Sequence, residues 1–138
     1  MLAEKNFQVG VKAIIKNSRG EILLLRANSK NFQKRGRTYW DLPGGRIRGK
    51  GIEETLKDEI LEETGIKKIK ILGIFDAAIS NIKHPEKNVG WILIAYRCIA
   101  GKEKIKLSNE HTEYEWFYPK EARKMLEYKY PKTFTRKL

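Results

Sequence analysis

Hydrophobic and polar positions along this chain follow two different periods, and they divide it into strands and helices. Residues 7–16 alternate and are rich in Val and Ile, which predicts a strand. The next four residues read Asn-Ser-Arg-Gly, a turn in which Gly20 can take a positive φ. We therefore predict a hairpin between this strand and residues 21–26. The other strand candidates are residues 39–42, 69–79, 89–100 and 113–118.

Helical periodicity occurs in two further segments. In residues 52–64, Ile52, Leu56 and Ile60 recur every four positions and form one apolar stripe, and Gly65 is a typical helix stop. Residues 119–128 begin with a proline, which suits the first turn of a helix. Neither helix can bury its apolar stripe alone, so each should cover a face of the sheet. Strands and helices in mixed order predict an α/β or α+β sandwich.

The segments between these elements are polar or rich in turn residues, and none divides the chain into two domains. Residues 28–37 are a polar, basic loop, Pro-Gly-Gly at 43–45 interrupts the pattern, and residues 81–88 form another loop. We expect a single domain over residues 1–138, with a basic tail at 130–138 that frays.

Composition narrows the class of protein without choosing a function. The longest apolar runs are far too short to span a membrane, and residues 1–11 lack a secretory signal, so we expect a cytoplasmic protein with no membrane partner. The single cysteine, Cys98, lies in an apolar run and is predicted to be a buried structural thiol. The formal net charge of +12 favours polyanionic partners, either nucleotides or nucleic acid.

Three glutamates give the second half of residues 44–66 its chemistry. Glu59, Glu62 and Glu63 are spaced i, i+3 and i+4, so they leave one face of the predicted helix. Like charges at this spacing repel by roughly 0.2–0.5 kcal/mol per pair, and a hard divalent cation such as Mg²⁺ or Mn²⁺ would compensate them. A solvated acidic face would give the same spacing. The Gly-Gly turn before the helix and the Gly65 stop after it favour the metal site.

This segment resembles the Nudix box, whose pattern is Gly, five residues, Glu, seven residues, then Arg-Glu-apolar-any-Glu-Glu-any-Gly-apolar. Gly44 takes the first position and Ile66 the last, and the sequence matches the pattern at Glu59, Ile60, Glu62, Glu63 and Gly65. The surroundings are also similar to a Nudix hydrolase. They comprise Leu25-Arg26 at the end of the hairpin, the approach Trp40-Asp41-Leu42-Pro43-Gly44-Gly45, and Glu110-His111 ahead of Trp116.

The resemblance implies a Nudix fold, an α/β/α sandwich with a mixed central sheet and two to three helices. It implies a MutT-like enzyme that hydrolyses a phosphate anhydride with Mg²⁺ or Mn²⁺. The metal ligands would be Glu59, Glu62, Glu63 and the Gly44 carbonyl. The general base would be Glu110, with Glu59 as the alternative. The substrate-binding candidates are Arg26, Trp40, Gly44 and Gly45.

Two positions depart from the family pattern with opposite changes of charge. Lys50 stands where the family has Glu, and Asp58 where it has Arg. We hypothesise that the two form an ion pair of inverted polarity that braces the loop against the helix. Independent drift at tolerant positions would give the same two residues.

Several functions agree with the resemblance. The favoured one is hydrolysis of a (d)NTP to a nucleoside monophosphate and pyrophosphate, with oxidised nucleotides included. RNA 5′-end pyrophosphohydrolysis and a non-catalytic nucleotide- or RNA-binding module are the alternatives, and the positive charge favours both. A homodimer is compatible with the family. His84 and His111 are read as structural residues, because nothing in their spacing links them as a metal pair.

Overall fold

The computed structural model describes residues 6–27, 39–83, 88–109 and 111–138. The strands are β1 (Asn6–Lys16), β2 (Ile22–Ala27), β3 (Trp40–Asp41), β4 (Gly44–Arg46), β5 (Ile69–Ile79), β6 (Val89–Ala100) and β7 (His111–Phe117). The helices are α1 (Ile52–Thr64), α2 (Pro119–Leu126) and α3 (Lys132–Thr135).

The seven strands form one mixed sheet. Its main order is β3-β2-β1-β6-β5, while β4 pairs with β1 and β7 pairs with β2. The β1–β6 pair is parallel and the other pairs are antiparallel. The predicted hairpin is confirmed, with Lys16 opposite Ile22 and Gly20 at a φ of 76°.

Alternation along the central strands builds a core on each face of the sheet. Val11, Ala13 and Ile15 contribute to one core together with Leu56 and Ile60 of α1. The opposite face, which includes Ile14 and Leu24, packs against α2, α3 and the residues around them. Helices on both faces of a mixed sheet confirm the predicted α/β/α sandwich. Ile52 differs from the prediction because it is 40% exposed, so the stripe of α1 consists of Leu56 and Ile60.

The end of the chain differs from the expected frayed tail. After α2, Tyr130, Phe134 and Leu138 are buried in the core that includes Ile14. Phe134 stacks on Tyr130, with 4.8 Å between ring centroids, and meets Phe75 edge-on. The apolar side chains in this basic segment therefore hold residues 130–138 against the sheet, which a reading based on charge alone overlooked.

The Pro-Gly-Gly segment also differs from its prediction as an interruption. Gly44 and Gly45 lie in β4, opposite Lys12 and Val11 of β1. A Cβ atom on Gly44 would lie 2.0 Å from the Val11 carbonyl oxygen, and its φ is 151°. Glycine thus allows this backbone to pair closely with β1 just before α1 begins. We call α1 the glutamate helix, because it carries Glu59, Glu62 and Glu63.

Cys98 is buried, as predicted, and burial raises the pKa of its thiol to about 12. Within the described ranges, no helix is long and apolar enough to cross a membrane.

Candidate active site

Glu63 links the glutamate helix to β4, which we call the glycine strand, by a hydrogen bond. Its Oε1 atom accepts a hydrogen bond of 2.7 Å from the backbone N–H of Gly44. The helix ends at the next residue, Thr64, and Gly65 after it takes the left-handed conformation and donates to the Leu61 carbonyl. The helix stop predicted at Gly65 is confirmed, and it leaves Glu63 in the last turn, beside β4.

The three glutamates differ in exposure. Glu63 is buried, Glu59 is half-buried and Glu62 is exposed. The Glu59 carboxylate lies against Gly45 so closely that a Cβ atom there would meet its carboxyl carbon at 2.4 Å. The pair Gly44-Gly45 therefore receives one carboxylate through a hydrogen bond and another by direct contact. The sequence predicts substrate binding for these two glycines, and that role stays a prediction.

The negative charge around Glu63 is only partly balanced by the positive charge of Lys12. Burial raises the pKa of Glu63 to about 7, and the nearby Glu59 and Asp41 act in the same direction. The Lys12 ammonium and the Gly44 N–H oppose this rise. A carboxylate with a raised pKa beside a second carboxylate has a surplus of negative charge, which a cation would stabilise.

Lys12 is the cation that the protein itself places behind these carboxylates. It lies on β1 and is buried, and its Nζ atom donates to Asp41 Oδ2 at 3.0 Å and to the Leu42 carbonyl at 3.2 Å. Burial opposes its charge, but the charges of Asp41, Glu63 and Glu59 hold the pKa of Lys12 above its ordinary value. Lys12 therefore stays charged underneath the glycine strand.

Asp41 connects this region to the end of the chain. Its carboxylate accepts hydrogen bonds from Lys12, from Lys129 Nζ at 2.5 Å and from the Tyr130 hydroxyl at 2.7 Å. Burial opposes its ionisation, yet these two ammonium groups and the hydroxyl hold the pKa of Asp41 well below its usual range. We call Lys12, Asp41, Lys129 and Tyr130 the Asp41 network.

His111 begins β7 and places its Nε2 atom 3.3 Å from Glu63 Oε2. The two side chains are 13% and 8% exposed, so this contact is shielded from water. Glu63 is thus approached by Gly44 on one oxygen and by His111 on the other. Glu110, the predicted general base, lies outside the described residues, as do the basic loop predicted at residues 28–37 and His84.

Arg26 and Trp40 lie opposite each other on β2 and β3. Arg26 pairs with Glu113 at 3.0 Å, an interaction that a substrate phosphate would have to displace. Trp40 packs edge-on against Phe117, with centroids 5.2 Å apart, and its carbonyl accepts a hydrogen bond from the Tyr128 hydroxyl. These contacts give Trp40 a packing role in this structure, and its role as a substrate residue stays a prediction.

The two residues that depart from the family pattern do meet. Lys50 Nζ lies 2.9 Å from Asp58 Oδ2, at the surface beside the first half of α1. The hydrogen bond to Asp58 and the charges of Asp58 and Glu54 raise the pKa of Lys50. This is the ion pair of inverted polarity that the sequence suggested.

The donor set around Gly44 fits a hard divalent cation in its chemistry. Carboxylate oxygens are the ligands that Mg²⁺ prefers, and Glu59 and Glu63 supply them beside two glycines. Within the parts of the chain that the structure describes, no three His, Cys, Asp or Glu side chains are gathered into a metal-binding group.

Lys12, Asp41, Lys129, Tyr130 and His111 take part in the site, although sequence reasoning assigned none of them to it. A lysine inside an apolar strand is the one available signal, because Lys is almost never fully buried unless it is paired. That signal would have identified Lys12. The partners at positions 129 and 130 are too distant in the chain for a local pattern to find.

Comparison with known proteins agrees with this architecture. The NUDIX domain family model matches residues 6–138. The crystal structure of the MutT protein from Methanosarcina mazei Go1 is 30% identical, with a TM-score of 0.75 over 99% of this chain and 93% of that one. An Ap4A hydrolase from C. elegans is 20% identical, with a TM-score of 0.74 over 94% of this chain and 93% of that one, a likeness of fold.

Fold and site together define an α/β/α hydrolase of acid anhydrides. The chain belongs to the Nudix family. Members of this family act on nucleotide substrates and generally use divalent metal cations.

Proposed function

We propose that this protein is a Mg²⁺-dependent (d)NTP pyrophosphohydrolase that releases a nucleoside monophosphate and pyrophosphate, with Mn²⁺ able to replace Mg²⁺. The observation that supports the proposal most directly is the contact between α1 and β4. There the buried Glu63 accepts the Gly44 N–H while Glu59 lies against Gly45. The 30% identity to the MutT protein from Methanosarcina mazei Go1 supports a MutT-like hydrolase.

Glu59, Glu62 and Glu63 would hold the metal, with the Gly44 carbonyl as a further ligand. When bound, the metal neutralises phosphate charge and lowers the pKa of the attacking water. The protein's own residues fix the positions of the carboxylates and of the charge behind them. Gly44 lets the backbone pair closely with β1, Gly45 admits the Glu59 carboxylate, and Lys12 keeps a fixed positive charge behind the carboxylates.

Hydrolysis joins a water oxygen to one phosphorus of the anhydride and breaks the bond from that phosphorus to the bridging oxygen. The bridging oxygen leaves with the electron pair. The water proton passes to a carboxylate, for which Glu59 and Glu110 are the candidates. Glu59 is half-buried, and its carboxylate lies against Gly45. If Glu59 is the base, it accepts this proton in place of its role as a metal ligand.

A substrate panel tests this proposal. The wild type is offered dNTPs, 8-oxo-dGTP, ADP-ribose, Ap4A, NADH and 5′-triphosphate RNA with Mg²⁺ or Mn²⁺. We expect the dNTP group to be hydrolysed to monophosphate and pyrophosphate. Glu62→Gln should lower kcat by about 10² or more, since general acid–base and electrostatic groups contribute on this scale.

Glu121→Gln is the matched control, because it removes an exposed carboxylate on α2 that is far from the glutamate helix along the chain. Failure of the wild type to hydrolyse any compound in the panel would overturn the enzyme proposal and favour a binding module. Preferential hydrolysis of ADP-ribose, Ap4A or NADH would overturn the substrate proposal alone.

The second candidate is RNA 5′-end pyrophosphohydrolysis, which the net charge of +12 favours. A long polyanion gains more from a basic surface than a single nucleotide does. This candidate predicts a higher kcat/KM for 5′-triphosphate RNA than for the matching free triphosphate. Equal or lower values for the RNA would reject it.

A further inference from the structure

A cavity of about 820 Å³ opens where the C-terminal ends of β1 and β6 lie side by side. Among the described residues, none of those that line it belongs to the Nudix box segment, residues 44–66. Lys16 lines this cavity, whereas the glycine strand pairs further back along β1, at Lys12. The cavity is thus separate from the candidate active site.

The walls of this cavity are largely apolar. Ile14, Leu72, Phe75 and Trp116 contribute side chains from three different strands, β1, β5 and β7. Leu72 is 52% exposed, which is unusual for a large aliphatic side chain beside an aromatic ring. Pockets of about 300–1,000 Å³ with apolar walls and a few polar groups are typical of small-molecule sites. Size and lining therefore suit the apolar body of an organic ligand.

The polar groups in the lining are mainly cationic. Lys16, Arg97 and Lys102 are exposed, and within the described ranges none of them forms an ion pair. The Arg97 guanidinium lies 5.1 Å from the centre of the Phe75 ring, so a fixed positive charge meets the apolar wall. The cavity thus combines an apolar wall with uncompensated positive charge.

Lys137 and Glu103, the other two charged residues of the lining, do not cancel the positive charge of Lys16, Arg97 and Lys102. Lys137 is paired with Asp76 at 2.9 Å. The Glu103 carboxylate accepts the backbone N–H groups of Lys67 and Lys68 at 3.0 and 2.8 Å. The charge left over is therefore positive.

We propose that this cavity is a second binding site, for an organic anion with an aromatic or aliphatic body and one anionic group. The body packs against Leu72, Phe75 and Trp116, while the anionic group accepts hydrogen bonds from Lys16, Arg97 or Lys102. Both halves of the ligand are required, because charge alone would leave the apolar wall in water and an apolar body alone would leave the cations unpaired.

The probe for the test is 8-anilinonaphthalene-1-sulfonate, with N-phenyl-1-naphthylamine as its uncharged counterpart. Binding is measured by fluorescence titration of the full chain in EDTA, so the result does not depend on catalysis. We expect one saturable site for the sulfonate and much weaker binding of the amine. Lys16→Gln/Lys102→Gln should weaken sulfonate binding by about tenfold or more, since hydrogen bonds to charged groups are lost.

A second double variant separates a defined site from general attraction to a basic surface. Lys57 and Lys70 line a neighbouring depression of about 600 Å³ on the other side of Ile99 and Ala100. Lys57→Gln/Lys70→Gln removes the same charge and should change sulfonate binding less than about twofold, because neither side chain lines the cavity and salt screens exposed charges. Equal weakening by the two double variants would overturn the proposal in favour of a diffuse polyanion-binding surface.

Amide chemical shifts locate the probe. Sulfonate binding should move the signals of Ser18 and Leu72, which line this cavity and not the neighbouring depression, and leave those of Gly44 and Gly45 in place. AMP as a competitor separates two sources of the ligand: displacement of the sulfonate by AMP assigns the cavity to nucleotides, and no displacement assigns it to other aryl or acyl anions. Absence of saturable sulfonate binding, or shifts confined to the glycines, would overturn the second site.

Discussion

At the scale of single residues, Glu63 has the least ordinary environment in the candidate site. It is 6% exposed, it accepts the Gly44 N–H, and it lies beside His111 and Glu59. Such a carboxylate binds protons more tightly in the folded chain than in the unfolded chain. Its ionisation is therefore linked to stability and to cation binding.

The stability of the metal-free protein should depend on Glu63 between about pH 4.5 and 7. The folded pKa of about 7 lies above the ordinary 4.5, so the folded chain retains a proton that the unfolded chain releases. The free energy of unfolding then falls as the pH rises through this window and levels off above it. Urea unfolding in EDTA from pH 4 to 8 measures this slope, and Mg²⁺ at pH 7.5 should restore stability.

Glu63→Gln should lack this part of the slope, and Glu121→Gln should keep it. A wild type whose stability is flat or rises between pH 4.5 and 7, relative to Glu63→Gln, would contradict the prediction.

The pair Lys50–Asp58 gives a second prediction at this scale. Lys50→Glu and Asp58→Arg should each lower kcat/KM, because each leaves two like charges facing each other next to the glutamate helix. The double variant restores the family's own residues and should recover most of the wild-type value. A double-mutant cycle of kcat/KM measures the coupling, and Lys57→Glu on the exposed face of α1 serves as control. Additive losses would show that the contact has no role in the reaction.

At the scale of elements, the end of the chain supports the strand that leads into the glycines. The Tyr128 ring stacks on Tyr39 at 4.2 Å, its hydroxyl donates to the Trp40 carbonyl, and Lys129 and Tyr130 bind Asp41. These contacts fix the segment just before Gly44 from the side opposite to α1. The position of the glycine strand thus depends on residues at both ends of the domain.

Asp41→Asn should destabilise the protein by about 2–4 kcal/mol at pH 7, because it leaves the buried Lys12 ammonium and the half-buried Lys129 ammonium without their carboxylate. Since the pKa of Asp41 is lowered in the fold, its stabilisation is present above its ordinary pKa of 3.8 and is lost as the pH falls below that value. Thermal unfolding of the wild type and the variant at several pH values measures both effects. A difference that grows as the pH falls below 4 would contradict the assignment.

The packed end of the chain is tested by Phe134→Ala, with Thr133→Ala as control in the same short helix. Phe134 is fully buried between Tyr130 and Phe75, so its truncation should cost about 3–5 kcal/mol. Thr133 is exposed, and its replacement should change stability by less than about 0.5 kcal/mol. Chemical denaturation gives both values. A small effect at Phe134 would restore the frayed tail that the sequence suggested.

How much the sequence could predict depended on the distance between partners. Residues 52–64 were predicted as a helix with its correct ends, because the apolar period and Gly65 are local signals. The short helix Lys132–Thr135 has too few residues to show a period. The face that carries Glu59, Glu62 and Glu63 was predictable, but the burial of Glu63 depends on how β4 pairs with β1. Asp41 and Tyr130 meet across 89 residues of chain, which a single sequence does not reveal.

At the scale of the whole molecule, charge is the dominant property. A net charge of +12 should attract an anionic substrate over a distance that shrinks as salt is added. The two cavities near the ends of β5 and β6 show that part of this charge is concentrated away from the glutamates.

Salt should therefore lower kcat/KM for a nucleoside triphosphate while leaving kcat nearly unchanged. Raising the ionic strength from 0.1 to 1 M shortens the screening length from about 10 to about 3 Å, which weakens the encounter and not the bound complex. Steady-state kinetics in a salt series, at a fixed free Mg²⁺ concentration, provides the measurement. A loss confined to kcat would show that charge acts within the bound complex instead.

The parallel pairing of β1 with β6 sets the order in which the chain can fold. Residues 6–16 find their partners only at residues 89–99, so most of the domain must leave the ribosome before the central pair can form. Pairings of such long range form slowly, because a large loop must close, with a loss of chain entropy, before the stabilising contacts form. At about 5–20 residues per second, several seconds of synthesis separate the two strands. The glutamate helix, residues 52–64, would spend the last part of that interval with its apolar side uncovered, at the stage when a chaperone could hold it.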